Sequence, residues 1–277
     1  MVELDTSTND RVQRRIARNR RLVERLHRRF SVNIYVLPNL VTTCNLFFGY
    51  FAIIYSIKGQ FEYAAYAIVA AALFDLLDGR VARWTNSESR FGAEYDSLSD
   101  VVSFGVAPSL LMFLWALHPF GRLGWLASFF FVACGALRLA RFNVQSVSVE
   151  KKDFQGLPIP MAAGIVAGSY LAFLDLGWNG QKHWALLGMT YLLGFVMVSN
   201  FRYRSFKDID FRKRMPFWYL ITGVSILAVV AYRPEVMLFV LFLSYAILGA
   251  IFGVLGSGKR RRERMERLER EASKVNK

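Results

Sequence analysis

The stretch DLLDGRVARWTNSESRFGAEYDSLSD, residues 75–100, decides how this chain folds and what it can do. Its fixed features are Asp75, Asp78, Gly79, Ala82, Arg83, Gly92, Asp96 and Asp100, spaced as D-x-x-D-G-x-x-A-R-x(8)-G-x(3)-D-x(3)-D. Both halves run into segments apolar enough to enter a bilayer, where carboxylates are costly and are kept for a purpose. Asp75 and Asp78 are three residues apart, so on a helix they share a face at about 5 Å. Asp96 and Asp100 are four apart, again on one face, with about 6 Å of rise between them. Bringing the two faces together makes a cup of four carboxylates. Hard divalent cations with oxygen ligands suit it, Mg2+ or Mn2+, and two ions would balance the charge. Gly79, Ala82 and Gly92 remove side-chain bulk beside the cup, and Arg83 offers a planar fork for phosphate oxygens. A lone D-x-x-D near a helix end is more often a solvated cap, and Gly and Ala in membrane helices are more often packing contacts. Neither alternative accounts for all eight positions together.

Working outward, 54% of the 277 residues are hydrophobic, above the usual share for a soluble domain. Eight apolar runs approach the roughly 20 residues that cross a bilayer: about 38–57, 62–83, 93–117, 123–144, 158–177, 183–201, 215–232 and 234–255. With a cytoplasmic N-terminus, the outer loops hold only Lys58, Arg122, Lys182 and Arg233 of the 35 Lys and Arg residues. That bias is what the positive-inside rule expects. Seven spans would instead put one strongly basic terminus outside. The expected fold is therefore all-α: a polytopic membrane helix bundle of eight transmembrane helices, both ends and the acidic cup on the cytoplasmic side of the inner membrane. The expected organisation is a basic interfacial segment (1–37), a catalytic membrane domain (38–201), two last spans (202–256) and a charged tail (257–277).

Residues 11–30 carry nine arginines, with Val12, Ile16, Val23, Leu26 and Phe30 near helical spacing. They read either as an N-terminal amphipathic interfacial helix on anionic lipid or as a solvated basic arm that sets topology. Nucleic-acid binding fits poorly, because the segment is tethered to a span and lacks a stacking platform. The first 30 residues hold charge where a signal peptide would hold an apolar stretch, so no cleavable signal is expected. Cys44 and Cys134 both lie in apolar runs and read as packing residues. His27, His118 and His183 have no metal-ligand spacing. GVLGSGK at 253–259 approaches a phosphate-binding loop, but Arg260 stands where Ser or Thr is needed and no strand precedes it.

The 75–100 pattern resembles the signature of the CDP-alcohol phosphotransferases at every fixed position. That resemblance implies that Asp75, Asp78, Asp96 and Asp100 hold two divalent ions and that Asp100 accepts the proton of an attacking alcohol. It also implies that Gly79, Ala82, Arg83, Ser89 and Gly92 bind the CDP-diacylglycerol, and that the protein is a homodimer among membrane lipids. PNLVT at 38–42 resembles the family's other nucleotide contact, through Asn39 and Thr42; the alternative is helix capping, a common role for Asn.

Val101 follows Asp100 where members with a phosphorylated acceptor tend to carry a cation, which argues against glycerol phosphate and inositol phosphate. PNLVTTCNLFFG (38–49), SFGVAP (103–108), LRLARFN (137–143) and FQGLPIPMAAG (154–164) resemble the serine-using members from bacteria and archaea. The implied reaction is attack of the L-serine hydroxyl on the β-phosphorus of CDP-diacylglycerol, releasing CMP. Arg138 and Arg141, on one face, are candidates for the serine carboxylate or a lipid phosphate; their alternative is snorkelling to head groups. Asn143 and Gln155 are weaker candidates. Two other readings stay open: another small alcohol as acceptor (glycerol phosphate or inositol), and a transporter whose intramembrane carboxylates bind a cation. The second lacks a matching acidic site in the other half of the chain.

Overall fold

The computed structural model describes residues 37–85, 89–146 and 154–199, and beyond them 202–203, 218, 233, 236–237 and 239–249. Among these the helices are α1 (Leu37–Ile57), α2 (Phe61–Trp84), α3 (Arg90–Phe120), α4 (Arg122–Ser146), α5 (Ile159–Asp175), α6 (Trp184–Val198) and α7 (Phe239–Gly249). One antiparallel pairing, Phe154 with Tyr203 and Gln155 with Arg202, is the only strand structure among the described residues. The first six expected spans correspond to α1–α6 within a few residues, and the last is helical over 239–249. The expected seventh span (215–232, apart from Trp218), the arginine-rich segment 11–30, the GVLGSGK stretch and the tail 257–277 lie outside the described residues.

Helices α1, α3 and α4 are long and apolar enough to cross a bilayer; α5, α6 and α7 are shorter apolar helices. Apolar side chains such as Leu73, Leu76, Phe129, Leu137, Leu192 and Phe195 stay exposed on the outside of the bundle. A water-soluble protein would bury so many of them, whereas a lipid-facing surface requires them. This is a helical membrane protein.

The centre of the bundle is α3, the most enclosed of the three long helices. Its Phe104, Leu111 and Met112 are fully buried, beside Phe131 of α4, Ile159 of α5 and Leu193 of α6. The helix is not uniform. Two widened turns interrupt it, Val101–Val106 and Phe113–Leu117, closed by Ala107 N–H to Val102 O and His118 N–H to Phe113 O. Each ends two residues before a proline, Pro108 and Pro119. A proline ring excludes the carbonyl four residues back and offers no N–H, so a wider turn relieves the clash. The first begins directly after Asp100.

Close helix approaches hold the bundle together. Gly194 of α6 faces Phe130 of α4, where an added Cβ would lie 2.7 Å from the ring. The tighter approach joins α1 to α3. Thr42, Asn45 and Gly49 line one face of α1, and Ser99 and Ser103 one face of α3. Ser99 Oγ donates to Thr42 O (3.2 Å) and Ser103 Oγ to Asn45 O (3.0 Å). These are small residues of the kind that let membrane helices touch at the backbone. A Cβ on Gly49 would lie 2.6 Å from Ser103 Cα, a clash with backbone that a rotamer change cannot relieve.

Gly→Ala in a free helix gains about 1 kcal/mol of helix propensity. At Gly49 the overlap should reverse that sign. Gly49→Ala is expected to lower stability in detergent by roughly 1–3 kcal/mol, read as an earlier thermal unfolding transition, whereas Gly188→Ala, with open space around it, should leave the transition in place or raise it.

Candidate active site

Helix α2 carries Asp75 and Asp78 in its last three turns, and α3 carries Asp96 and Asp100 in its first three. The two helix ends meet. One oxygen from each of Asp75, Asp78 and Asp96 lies within 4.8 Å of the others. Asp100, one helical turn deeper along α3, stands outside that trio but within electrostatic reach of Asp75 and Asp96. The expected cup of four is thus a group of three with a fourth carboxylate set behind it.

The first helix completes the arrangement from the side. Thr42 Oγ1 bonds Asp78 Oδ2 (3.1 Å) while sharing its hydrogen with Pro38 O (3.1 Å). One turn along, Asn45 Nδ2 donates to Asp100 Oδ1 (3.2 Å). Asn45 is completely buried and Thr42 nearly so. Sequence reasoning missed Asn45. Its signal was present all the same: a polar side chain inside an apolar run, three residues after Thr42 and so on the same face.

Whether the cluster suits divalent cations is decided by what is missing from its neighbourhood. No Lys or Arg among the described residues forms a salt bridge to any of the four carboxylates; the one such bridge joins Arg233 to the distant Asp175 (2.7 Å). Asp96 Oδ1 is buried with no hydrogen-bond partner. Crowded carboxylates with no cation bonded to them repel one another, and a buried lone acceptor costs about 1–3 kcal/mol. An all-oxygen donor set with an unsatisfied member fits a hard divalent cation.

Around the cluster, the candidates from sequence divide. A Cβ on Gly79 would meet nothing within 4 Å, so the surface beside Asp78 is open. Ala82 follows on the same helix. Arg83 is exposed and its Nε donates to Gly79 O (2.8 Å), which folds the side chain back along α2 toward that opening. Asn39 lies inside α1, not ahead of it, so helix capping is not its role. Its Oδ1 comes up against Gly92, where an added Cβ would be 3.3 Å away. Ser89 is the cap instead: its Oγ accepts from Gly92 N (2.9 Å) at the start of α3.

The two arginines of α4 go to different places. Arg141 Nη1 donates to Val198 O (3.0 Å), one of the carbonyls left open at the end of α6. Arg138 lies within electrostatic reach of Asp100 on α3, and its buried Nε has no hydrogen-bond partner. Asn143 Nδ2 donates to Ser97 Oγ (3.0 Å), tying the end of α4 to the turn that holds Asp96. Gln155 sits in the two-residue strand pairing, away from α2 and α3 in sequence and in secondary structure.

A membrane helix bundle with carboxylate pairs on the facing ends of two consecutive helices describes a class of membrane-embedded transferases. The chain belongs to the CDP-alcohol phosphatidyltransferase family, whose family model matches residues 35–199. Among similar proteins, the CDP-diacylglycerol–serine O-phosphatidyltransferase of Helicobacter pylori is 42% identical over 225 residues, covering 79% of this chain and 92% of its own. The protein of the same description from Methanocaldococcus jannaschii is 36% identical over 229 residues, covering 82% and 99%. The archaetidylserine synthase of Methanothermobacter thermautotrophicus is 44% identical over 169 residues, covering 60% and 69%.

Thr42→Val keeps the shape of the side chain and deletes the hydroxyl that bonds Asp78. Partners of this kind typically set metal affinity within about 10–100-fold. The variant is expected to need about ten-fold more Mn2+ for half-maximal binding, followed by electron paramagnetic resonance of free Mn2+.

Proposed function

We propose that this protein transfers a phosphatidyl group from CDP-diacylglycerol to the hydroxyl of L-serine, giving a phosphatidylserine-type lipid and CMP. The observation that carries the reading is the Asp75–Asp78–Asp96 group with Asp100 behind it, inside a chain 36–42% identical to proteins described as serine O-phosphatidyltransferases. Asp75, Asp78 and Asp96, with Asp100, would hold two Mg2+ or Mn2+ ions. When bound, the ions neutralise the diphosphate and the charge that develops on it.

The chain's own residues supply the rest. The opening beside Gly79 admits the diphosphate against the backbone of α2, and Arg83, at its edge, reaches phosphate oxygens. Asn39, against Gly92, faces the nucleotide side. Asp100, held at Oδ1 by Asn45, keeps its other oxygen for the serine hydroxyl and takes its proton as attack proceeds. The serine oxygen bonds to the β-phosphorus, the bond from that phosphorus to the bridging oxygen breaks, and the electron pair leaves with CMP. Arg138, the arginine within electrostatic reach of Asp100, binds the serine carboxylate. Catalysis here is mostly positioning and electrostatics.

Exposed Arg80, Arg83 and Arg90 surround the acidic end of the bundle, which supports a cytoplasmic active site under the positive-inside rule. The lipid tails of the substrate then stay in the inner leaflet while serine and CMP exchange with the cytosol. By the family likeness the working unit is a homodimer.

Purified protein in mixed micelles should release CMP only when CDP-diacylglycerol, L-serine and Mg2+ or Mn2+ are all present, and EDTA should stop it. Serine-independent release, or equal release with inositol or glycerol phosphate, would remove serine from the reaction. Asp100→Asn is expected to lower kcat by about 100-fold or more, the scale of a lost general base, while CMP still raises the melting temperature.

A further inference from the structure

Asn45 is the one fully buried amide beside the reacting carboxylate, and half of it is unused. Its Nδ2 donates to Asp100 Oδ1 (3.2 Å), while its Oδ1 is buried with no hydrogen-bond partner. The orientation is dictated by Asp100, because an ionised carboxylate only accepts. A fully buried carbonyl with nothing to accept is rare and asks for an explanation. Its neighbours supply none: the helix face holds Thr42, whose hydroxyl is committed to Asp78, and Gly49, which has no side chain. Facing it, Ser99 Oγ and Ser103 Oγ donate to backbone carbonyls of α1. Arg138, within electrostatic reach of Asp100, likewise leaves its Nε unpartnered.

We infer that Asn45 Oδ1 receives the ammonium group of the acceptor, making Asn45 the residue that selects a 1,2-amino alcohol. The inference rests on serine as the acceptor and deepens it. Because Oδ1 and Nδ2 share one amide carbon, the unpartnered carbonyl lies immediately beside the carboxylate that takes the hydroxyl proton. Serine carries hydroxyl and ammonium on adjacent carbons, so it spans that separation with both donors engaged. Its carboxylate then meets the unpartnered Nε–H of Arg138. Each of the two orphaned atoms gains a partner of the opposite kind, and the acceptor's net-neutral head enters without an unpaired charge. A phosphorylated acceptor such as glycerol phosphate offers no ammonium to the amide.

The test compares acceptors that lack one group at a time, using full-length protein and CMP release. A site built to bond a substrate group rejects the analogue that lacks it. Wild-type protein should favour L-serine over 3-hydroxypropanoate, which has no ammonium, by about ten-fold or more in kcat/KM, the size of a lost hydrogen bond to a charged group. In Asn45→Ala that preference should collapse toward unity, because only serine loses a contact. Slower turnover from a loosened Asp100 would affect both acceptors alike and cancel in the ratio. If Asn45→Ala fails to fold, judged by loss of the CMP-dependent rise in melting temperature, Asn45→Ser carries the same comparison. A wild-type protein that uses 3-hydroxypropanoate as well as L-serine overturns the inference without any variant. So does an unchanged preference in a folded Asn45 variant. A wild-type protein with no serine-dependent CMP release would instead sink serine as the acceptor.

Discussion

Three carboxylates with oxygens inside 4.8 Å, at the ends of helices and with no basic side chain bonded to them, are the constraint to which the rest of the bundle answers. Their mutual repulsion opposes the fold that brings α2 and α3 together. Something must hold those helix ends against it, and packing below the cluster does so. The buried run Ala64, Ala65, Ile68 and Ala71 fixes α2, and Phe104, Leu111 and Met112 fix α3. Burial of this kind is worth a few kcal/mol per large side chain, though the membrane sets a different reference and leaves close packing as the main gain. The apolar part of the bundle therefore clamps the acidic end, and the charge crowded there suits a divalent cation.

Small side chains are the means. Where α1 crosses α3 the contact is Gly49 against Ser103 backbone, flanked by hydroxyls that bond the opposite main chain. Such closeness brings Thr42 and Asn45 to Asp78 and Asp100; bulkier residues at the crossing would hold both out of reach. The prolines of α3 act in the same direction. A widened turn begins directly after Asp100, so the acidic segment and the apolar lower part of one helix need not share a single register. Each can satisfy its own neighbours.

The pairing of carboxylates was legible in sequence because helical periodicity puts residues three and four apart on one face, whatever surrounds them. The same periodicity could not tell Arg138 from Arg141. Both share a face, and only the neighbours decide: Arg141 meets the open carbonyl of Val198, whereas Arg138 lies within electrostatic reach of Asp100. Ser89 illustrates a different limit. As part of the 75–100 pattern it reads as a ligand contact; its hydroxyl also caps α3, and a serine ahead of a helix carries that second role from local chemistry alone. Asn39 went the other way, since the helix begins before it. Asn45 was passed over because nothing within an apolar run says which neighbour a buried amide will find; that depends on which helix packs alongside.

A single helical turn links the two halves of the site. Thr42 steadies Asp78 in the group suited to cations, and Asn45 steadies Asp100 behind it. They lie three residues apart on α1, so no rotation of that helix can disturb one without the other. The arrangement ties the geometry at Asp78 to the geometry at Asp100 through rigid backbone, with no loop between them. Phosphoryl transfer gains chiefly from having both partners in line before reaction, and a shared rigid support is a direct way to keep them so. It also explains why a helix that bears no carboxylate of its own is drawn so tightly against the two that do.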